Sequence, residues 1–179
     1  SADPLVEDAV DFIADLRQVK DFSSLPIGRN VVVIGGGMTA IDAAVQSQLL
    51  GAEKVTIIYR RNLDNMSASK KEQNNATSKG VKIITNAVPT SIYKQNGIHK
   101  LNLSYTEVDK HTGKLKELEQ TFSIEADQIF CAIGQKFNNL LDVFKSHKGK
   151  IMIDENCKTS VENVWAGGDC VDKGEDLTV

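Results

Sequence analysis

"VVVIGGGMTAIDAAV", residues 31–45, sets an unbroken apolar run, three glycines and an alanine-rich stretch side by side. Val31 to Ile34 shows no polar alternation, the pattern of a strand covered on both faces in a parallel sheet. Met38 to Leu50 reads as a helix, stopped by Gly51 in the C-terminal glycine position. Between strand and helix, Gly35-Gly36-Gly37-Met38-Thr39-Ala40 fits G-x-G-x-x-G/A. In that pattern Gly35 permits the tight turn, Gly37 lets a pyrophosphate approach the backbone, and Ala40 lets helix and strand pack closely. The exposed amides and the helix dipole then favour phosphate. A glycine turn that binds nothing is the alternative reading of the same residues.

Working outward, "KVTIIYRR" is the next strand, so residues 31–60 make a strand, helix and parallel strand in about the length such a unit needs. "SASKKEQNNATSKG" reads as a second helix with a serine cap and Gly80 as its stop, and "VKIIT" as a third strand. Upstream, the spacing of Leu5, Val6, Ala9, Val10, Ile13 and Leu16 predicts a helix from Pro4 to about Lys20, with Asp3 as N-cap. After Pro89 the pattern changes. Asn96-Gly97 favours a tight hairpin, Leu101, Leu103 and Tyr105 alternate, "DKHTGK" reads as a turn and "LEQTFSIEAD" as a further strand. The chain then returns to a buried strand, "QIFCAIG". The expected class is α/β, a Rossmann-like doubly wound parallel sheet with an antiparallel β-meander inserted at about 88–124. The expected organisation is an N-terminal helix and linker over 1–29, a nucleotide-binding domain over 30–154 and a C-terminal segment over 155–179.

A chain of 179 residues with 41% hydrophobic composition supports one domain with a core. A net charge of −3 argues against a nucleic-acid surface. The longest apolar runs fall far short of the roughly 20 residues a membrane helix needs. No basic-then-apolar leader opens the sequence, so no membrane partner is expected and the cytoplasm is the expected compartment. Cys131, Cys157 and Cys170 lack C-x-x-C spacing, which argues against a disulfide framework, a structural zinc or a cluster held by this chain. His99, His111 and His147 have no evident catalytic companion and read as surface residues. Ser67 and Ser69 lack the setting of a hydrolase nucleophile and suit a helix cap. No side chain qualifies as a catalytic acid or base.

The end of the second strand bears on which nucleotide would bind. NAD sites usually carry an acidic residue there for the ribose hydroxyls, whereas NADP sites carry Arg. Here the residues are Tyr59-Arg60-Arg61; Glu53 stands at the wrong end of the strand and Asp64 lies beyond it in the loop. Two guanidiniums can chelate a 2′-phosphate, so NADP(H) is preferred over NAD(H). An ordinary solvated basic pair is the alternative. Ala132-Ile133-Gly134 in "CAIGQ" follow a buried strand, where backbone can approach a nicotinamide. In "WAGGDC", Asp169 could bond a cofactor hydroxyl or simply close a turn.

Taken in order, "VVVIGGGMTAIDAAV", "VTIIYRRNLDNMSASKKE", "AIGQ" and "VENVWAGGDCV" resemble the two-dinucleotide-binding flavoproteins. Within them the resemblance is to the NAD(P)H:FAD module shared by the glutamate synthase small subunit and dihydropyrimidine dehydrogenase. It implies a nicotinamide-binding domain inserted into an FAD-binding domain, hydride passing from NADPH or NADH to FAD, and iron-sulfur clusters carrying electrons onward. It also implies roles for individual residues: Gly35, Gly37, Met38, Thr39 and Ala40 at the pyrophosphate, Arg60 and Arg61 at the adenosine phosphate, Ala132, Ile133 and Gly134 beside the nicotinamide. Gly168 and Asp169 match the FAD motif. The sequence departs from the family in having one glycine fingerprint and no cluster cysteines. It therefore reads as an excised nucleotide-binding domain, inactive alone, with residues 155–179 a stub of the FAD-binding domain. Its partners would be the FAD-binding remainder of the parent and an electron-accepting subunit or domain. A non-catalytic NAD(H)-sensing domain is the competing reading, although a sensor needs neither the meander nor the "GGD" ending.

Overall fold

The structure, a computed structural model, describes residues 3–21, 24–109, 112–134, 143–147 and 149–174. The chain forms two compact units, Ser1–Ile133 and Gly134–Val179.

The first unit runs β1 (Val6–Asp8), α1 (Ala9–Gln18), β2 (Asn30–Ile34), α2 (Met38–Leu49), β3 (Lys54–Tyr59), α3 (Lys70–Ser78) and β4 (Lys82–Thr85). It continues with β5 (Ala87–Gln95), β6 (Ile98–Val108), β7 (Leu115–Glu125) and β8 (Gln128–Cys131). Five strands pair in parallel in the order β1-β8-β2-β3-β4. The winding proceeds from β2 to β4 in one direction, while β8 and β1 lie on the other side. The reversal therefore falls at β2, the place where open α/β sheets take ligands at the carboxyl ends of their strands.

Alternating side chains on the strands divide the core in two. Val31, Val33, Val55, Ile57 and Phe130 face α1, α2 and α3, contacting Ala9, Phe12, Ala40, Ile41, Ala44 and Ala76. Phe12 stacks on Phe130 with ring centroids 4.2 Å apart. On the opposite face Val32, Ile58 and Ile129 pack with Ala87, Leu101 and Leu103 of the meander. The antiparallel sheet β5-β6-β7 thus supplies the second apolar layer, the position that crossover helices fill in other sheets of this kind.

The N-terminal expectation needs correction. Residues 6–8 are an edge strand paired with Ile129–Cys131 of β8, and the helix starts only at Ala9. Asp8, not Asp3, is the N-cap, its carboxylate accepting the Val10 N–H (2.8 Å); Asp3 instead accepts the Leu5 N–H (3.0 Å). Pairing with β8 satisfies backbone that a first helical turn would have left open.

Local signals elsewhere match the elements. Ser69 caps α3 and Glu72 reaches back to the Ser69 N–H, a complete capping box. Asn96 and Gly97, at φ 52° and 83°, make the left-handed pair that a two-residue hairpin requires. A 3-10 turn at Leu63–Asn65, capped by Asn62, is an addition within the loop after β3. The second unit holds a short antiparallel pair, β9 (Ser146–His147) and β10 (Lys150–Ile151), and a 3-10 turn at Gly168–Cys170. Among the described residues no helix is long and apolar enough to cross a membrane. Ser69→Ala, which opens the capping box, is expected to lower the unfolding free energy by about 1 kcal/mol, measurable by urea denaturation.

Candidate functional site

Three loops emerge at the carboxyl ends of neighbouring strands in the first unit. The glycine turn leaves β2, Arg60 and Arg61 follow β3, and Ala132 and Ile133 follow β8. Of the residues expected at a nucleotide site, Gly35, Gly37, Met38, Thr39, Ala40, Arg60, Arg61, Ala132 and Ile133 thus belong to one sheet edge. Gly134, at φ 115°, opens the second unit. Gly168 and Asp169 lie in that unit's 3-10 turn, Gly168 at φ 75°.

Each glycine of the turn answers to a different neighbour. The Gly35 N–H donates to the Ile58 carbonyl (3.0 Å), and a Cβ at Gly35 would strike the Ala132 carbonyl. A Cβ at Gly36 would enter the ring of Tyr59. Gly36 carries no role in the sequence reading; the aromatic residue ending β3 was the only signal that could have pointed to its constraint. At Gly37 the nearest atom to a Cβ is the Ser67 hydroxyl, 3.2 Å away. Gly37 is also the N-cap of α2, with no side chain to cap it. The Met38 and Thr39 amides therefore have no side-chain acceptor of the usual capping kind. Ala40 is fully buried against the sheet.

The arginine loop is tied at many points. The Tyr59 hydroxyl donates to the Asn65 carbonyl (2.6 Å), the Ala68 N–H to the Gly36 carbonyl (3.1 Å), and the buried Gln73 side chain to the Ala68 carbonyl (2.8 Å). Ser67 donates to the Gly36 carbonyl at 3.4 Å, while Ser69 alone of the two serines caps the helix. Arg60 and Arg61 are exposed, and neither enters an ion pair among the described residues. Asp64 is held by Lys70 (3.2 Å). Glu53 sits at the opposite edge, in a two-point pair with Arg29 (2.8 and 2.9 Å) that holds its carboxyl below the usual range. A cleft of about 500 Å³ also opens at that amino edge, lined by Asn30, Glu53, Lys54, Lys82 and Glu125, away from the glycine turn.

This set suits a phosphate-bearing dinucleotide: a glycine-capped helix start and, after the neighbouring strand, two arginines free of ion pairs among the described residues. Cys131, the last residue of β8, directly precedes Ala132. Burial, and then the nearby Asp8 carboxylate, push its thiol above the ordinary range, so it is protonated at neutral pH. Cys131, Cys157 and Cys170 are all free.

Sheet and turn together define the class: a Rossmann-like α/β domain with a glycine-rich strand-to-helix turn at its carboxyl edge. A family model described as pyridine nucleotide-disulphide oxidoreductase matches residues 3–179, and the chain belongs to that family. Membership implies use of NAD(P) and FAD. The chain is 32% identical over 169 residues to the NAD-dependent dihydropyrimidine dehydrogenase subunit PreT of Escherichia coli K12, covering 93% of this chain and 37% of that protein. It is 32% identical over 168 residues to the NADPH glutamate synthase small chain of the same organism, covering 85% of this chain and 35% of that one. It therefore spans little more than a third of the length of these relatives. Among solved structures, thioredoxin reductase of T. acidophilum aligns with a TM-score of 0.59 at 26% identity, over 81% of this chain and 45% of that one. Thioredoxin reductase of Lactococcus lactis aligns with a TM-score of 0.61 at 21% identity, over 86% and 48%, and shares the fold.

Gly36→Ala is expected to destabilise the chain by about 1–3 kcal/mol, because an aromatic ring must move; Gly37→Ala should cost less, since a hydroxyl can turn aside. Urea denaturation of the two variants checks the order. In alkylation at mildly alkaline pH, Cys157 should react well before Cys131, whose rate should keep rising beyond the ordinary thiol range. Mass spectrometry of the labelled peptides reads this directly.

Proposed function

We propose that the chain is the nicotinamide-dinucleotide-binding part of a flavin-dependent oxidoreductase of the glutamate synthase small subunit and dihydropyrimidine dehydrogenase type, in which hydride passes from NADPH or NADH to FAD. The observation that carries the reading is the adjacency of three loops at the carboxyl ends of β8, β2 and β3, which are hydrogen-bonded neighbours. In this reading Gly37, Met38 and Thr39 hold the pyrophosphate through backbone groups, and Gly35 and Ala40 keep turn and helix in place. Ala132, Ile133 and Gly134 border the nicotinamide, and Gly168 and Asp169 belong to the FAD side. The dinucleotide supplies the hydride; the chain binds and orients it, and no side chain acts as acid or base.

NADP(H) is the preferred donor. Neither arginine enters an ion pair among the described residues, and the next carboxylate after β3 in the sequence, Asp64, lies 3.2 Å from the Lys70 ammonium. Relatives named for NAD and for NADPH match at the same identity, so the discrimination rests on the arginine pair. The partners are the FAD-binding remainder of a cytoplasmic parent protein and an electron-accepting subunit or domain, with any iron-sulfur clusters held outside this chain.

Calorimetric titration of the chain with NADPH and NADH tests the donor. NADPH should bind more tightly, and Arg60→Ala or Arg61→Ala should cut its affinity by about tenfold or more while leaving NADH nearly unchanged. Equal affinities in all three proteins would remove the phosphate role. A parent protein that binds FAD but is reduced by neither nicotinamide would sink the flavin reading.

A further inference from the structure

β3 ends at Tyr59, so the parallel ladder does not hold the arginine pair that follows. The inserted meander and Asn86, the residue leading into it, do. The Thr106 hydroxyl of β6 donates to the Arg60 carbonyl (2.7 Å), and the Asn86 N–H donates to the Arg61 carbonyl (3.0 Å). The Thr106 N–H in turn donates to the Asn86 carbonyl (2.8 Å), joining the two anchors. Thr106 is only 4% exposed, just past the point where the β6–β7 register shifts between Ser104 and Thr106. Such irregularities re-aim side chains. Asn86, the single residue between β4 and β5, is left-handed at φ 53°, a conformation Asn tolerates better than most residues. The main chain of both arginines is therefore fixed while both guanidiniums stay free of ion pairs among the described residues. Fixing the backbone beforehand reduces the ordering cost when long side chains close on a ligand.

We propose that Thr106 is a positioning residue for 2′-phosphate recognition: through its hydroxyl, and with Asn86, the meander sets the backbone from which Arg60 and Arg61 reach the adenosine phosphate. This rests on the reading of the chain as an NADP(H) site. It gives the meander a second task, beyond covering the sheet.

The test is equilibrium binding of 2′,5′-ADP and of 5′-AMP to the full chain, in the unsubstituted protein and in Thr106→Val, Thr106→Ala, Thr106→Ser and Arg60→Ala. Thr106→Val should weaken 2′,5′-ADP by about tenfold and 5′-AMP by less than about twofold, the size expected when a charge-assisted contact is misplaced. Thr106→Ala, which also lacks the hydroxyl, should behave alike and serves if the valine variant fails to fold. Thr106→Ser, which keeps the hydroxyl, should restore the preference. Equal weakening of both ligands, or no change in either, overturns the role of Thr106. If Arg60→Ala abolishes the preference and the Thr106 variants do not, the meander's part alone falls. If the unsubstituted chain shows no preference for 2′,5′-ADP over 5′-AMP, the underlying NADP(H) reading falls; if the preference exists but Arg60→Ala leaves it intact, the role of Thr106 through Arg60 falls.

Discussion

β2 must be covered on both faces. Val31, Val32 and Val33 are at most 1% exposed, and because successive strand residues point to opposite sides, one apolar layer cannot bury all three. The helices bury Val31 and Val33; the meander buries Val32. At roughly 1.5–3 kcal/mol for each fully buried aliphatic side chain, neither layer is dispensable in a protein of ordinary marginal stability. The meander is thus a structural necessity of this sheet before it is anything else, and the free carboxyl end of β2 is what remains for a ligand.

The two edges of the sheet are finished differently. At the amino edge polar groups satisfy one another: Asp127 accepts both the backbone and side-chain N–H of Asn30 (2.8 Å each), Gln128 bridges the Gly28 N–H and Glu7, and Arg29 closes on Glu53. At the carboxyl edge the backbone carbonyls of Arg60 and Arg61 are engaged, but among the described residues their guanidiniums enter no ion pair. A charge already paired has little to offer an incoming phosphate, because the old partner must first be displaced and solvated. The cleft at the amino edge, with its mixed lysines and glutamates, lacks this one-sided character.

The glycine turn shows how one motif can conceal several constraints. Gly35 is fixed by the carbonyl of Ala132 and Gly36 by the ring of Tyr59; only Gly37 stands where a side chain would interfere chiefly with a hydroxyl and the helix start. The middle glycine, formally the free position of the pattern, is here among the most confined. Tyr59 also grips the Asn65 carbonyl, so the residue that excludes a side chain from the turn helps to hold the arginine loop beside it.

Much of the fold was legible because it is local. The unbroken apolar run of β2, the glycine stops at Gly51 and Gly80, the Ser69 cap and the Asn96-Gly97 hairpin each follow from the φ/ψ preferences and hydrogen bonds of residues close in sequence. The arginine pair was legible for the same reason, standing directly after a recognisable strand. What the tertiary structure decided depends on partners distant in the chain. Residues 6–8 read as helix, yet they pair with residues 129–131, a contact that local periodicity cannot register. The meander's place on the second face and the Thr106–Arg60 bond, 46 residues apart, are of the same kind. The sequence by itself determined most of the elements and the glycine turn after β2; only tertiary packing decided that residues 6–8 pair as a strand and what lies against each element, because pairing and burial are set by neighbours that the local pattern does not name.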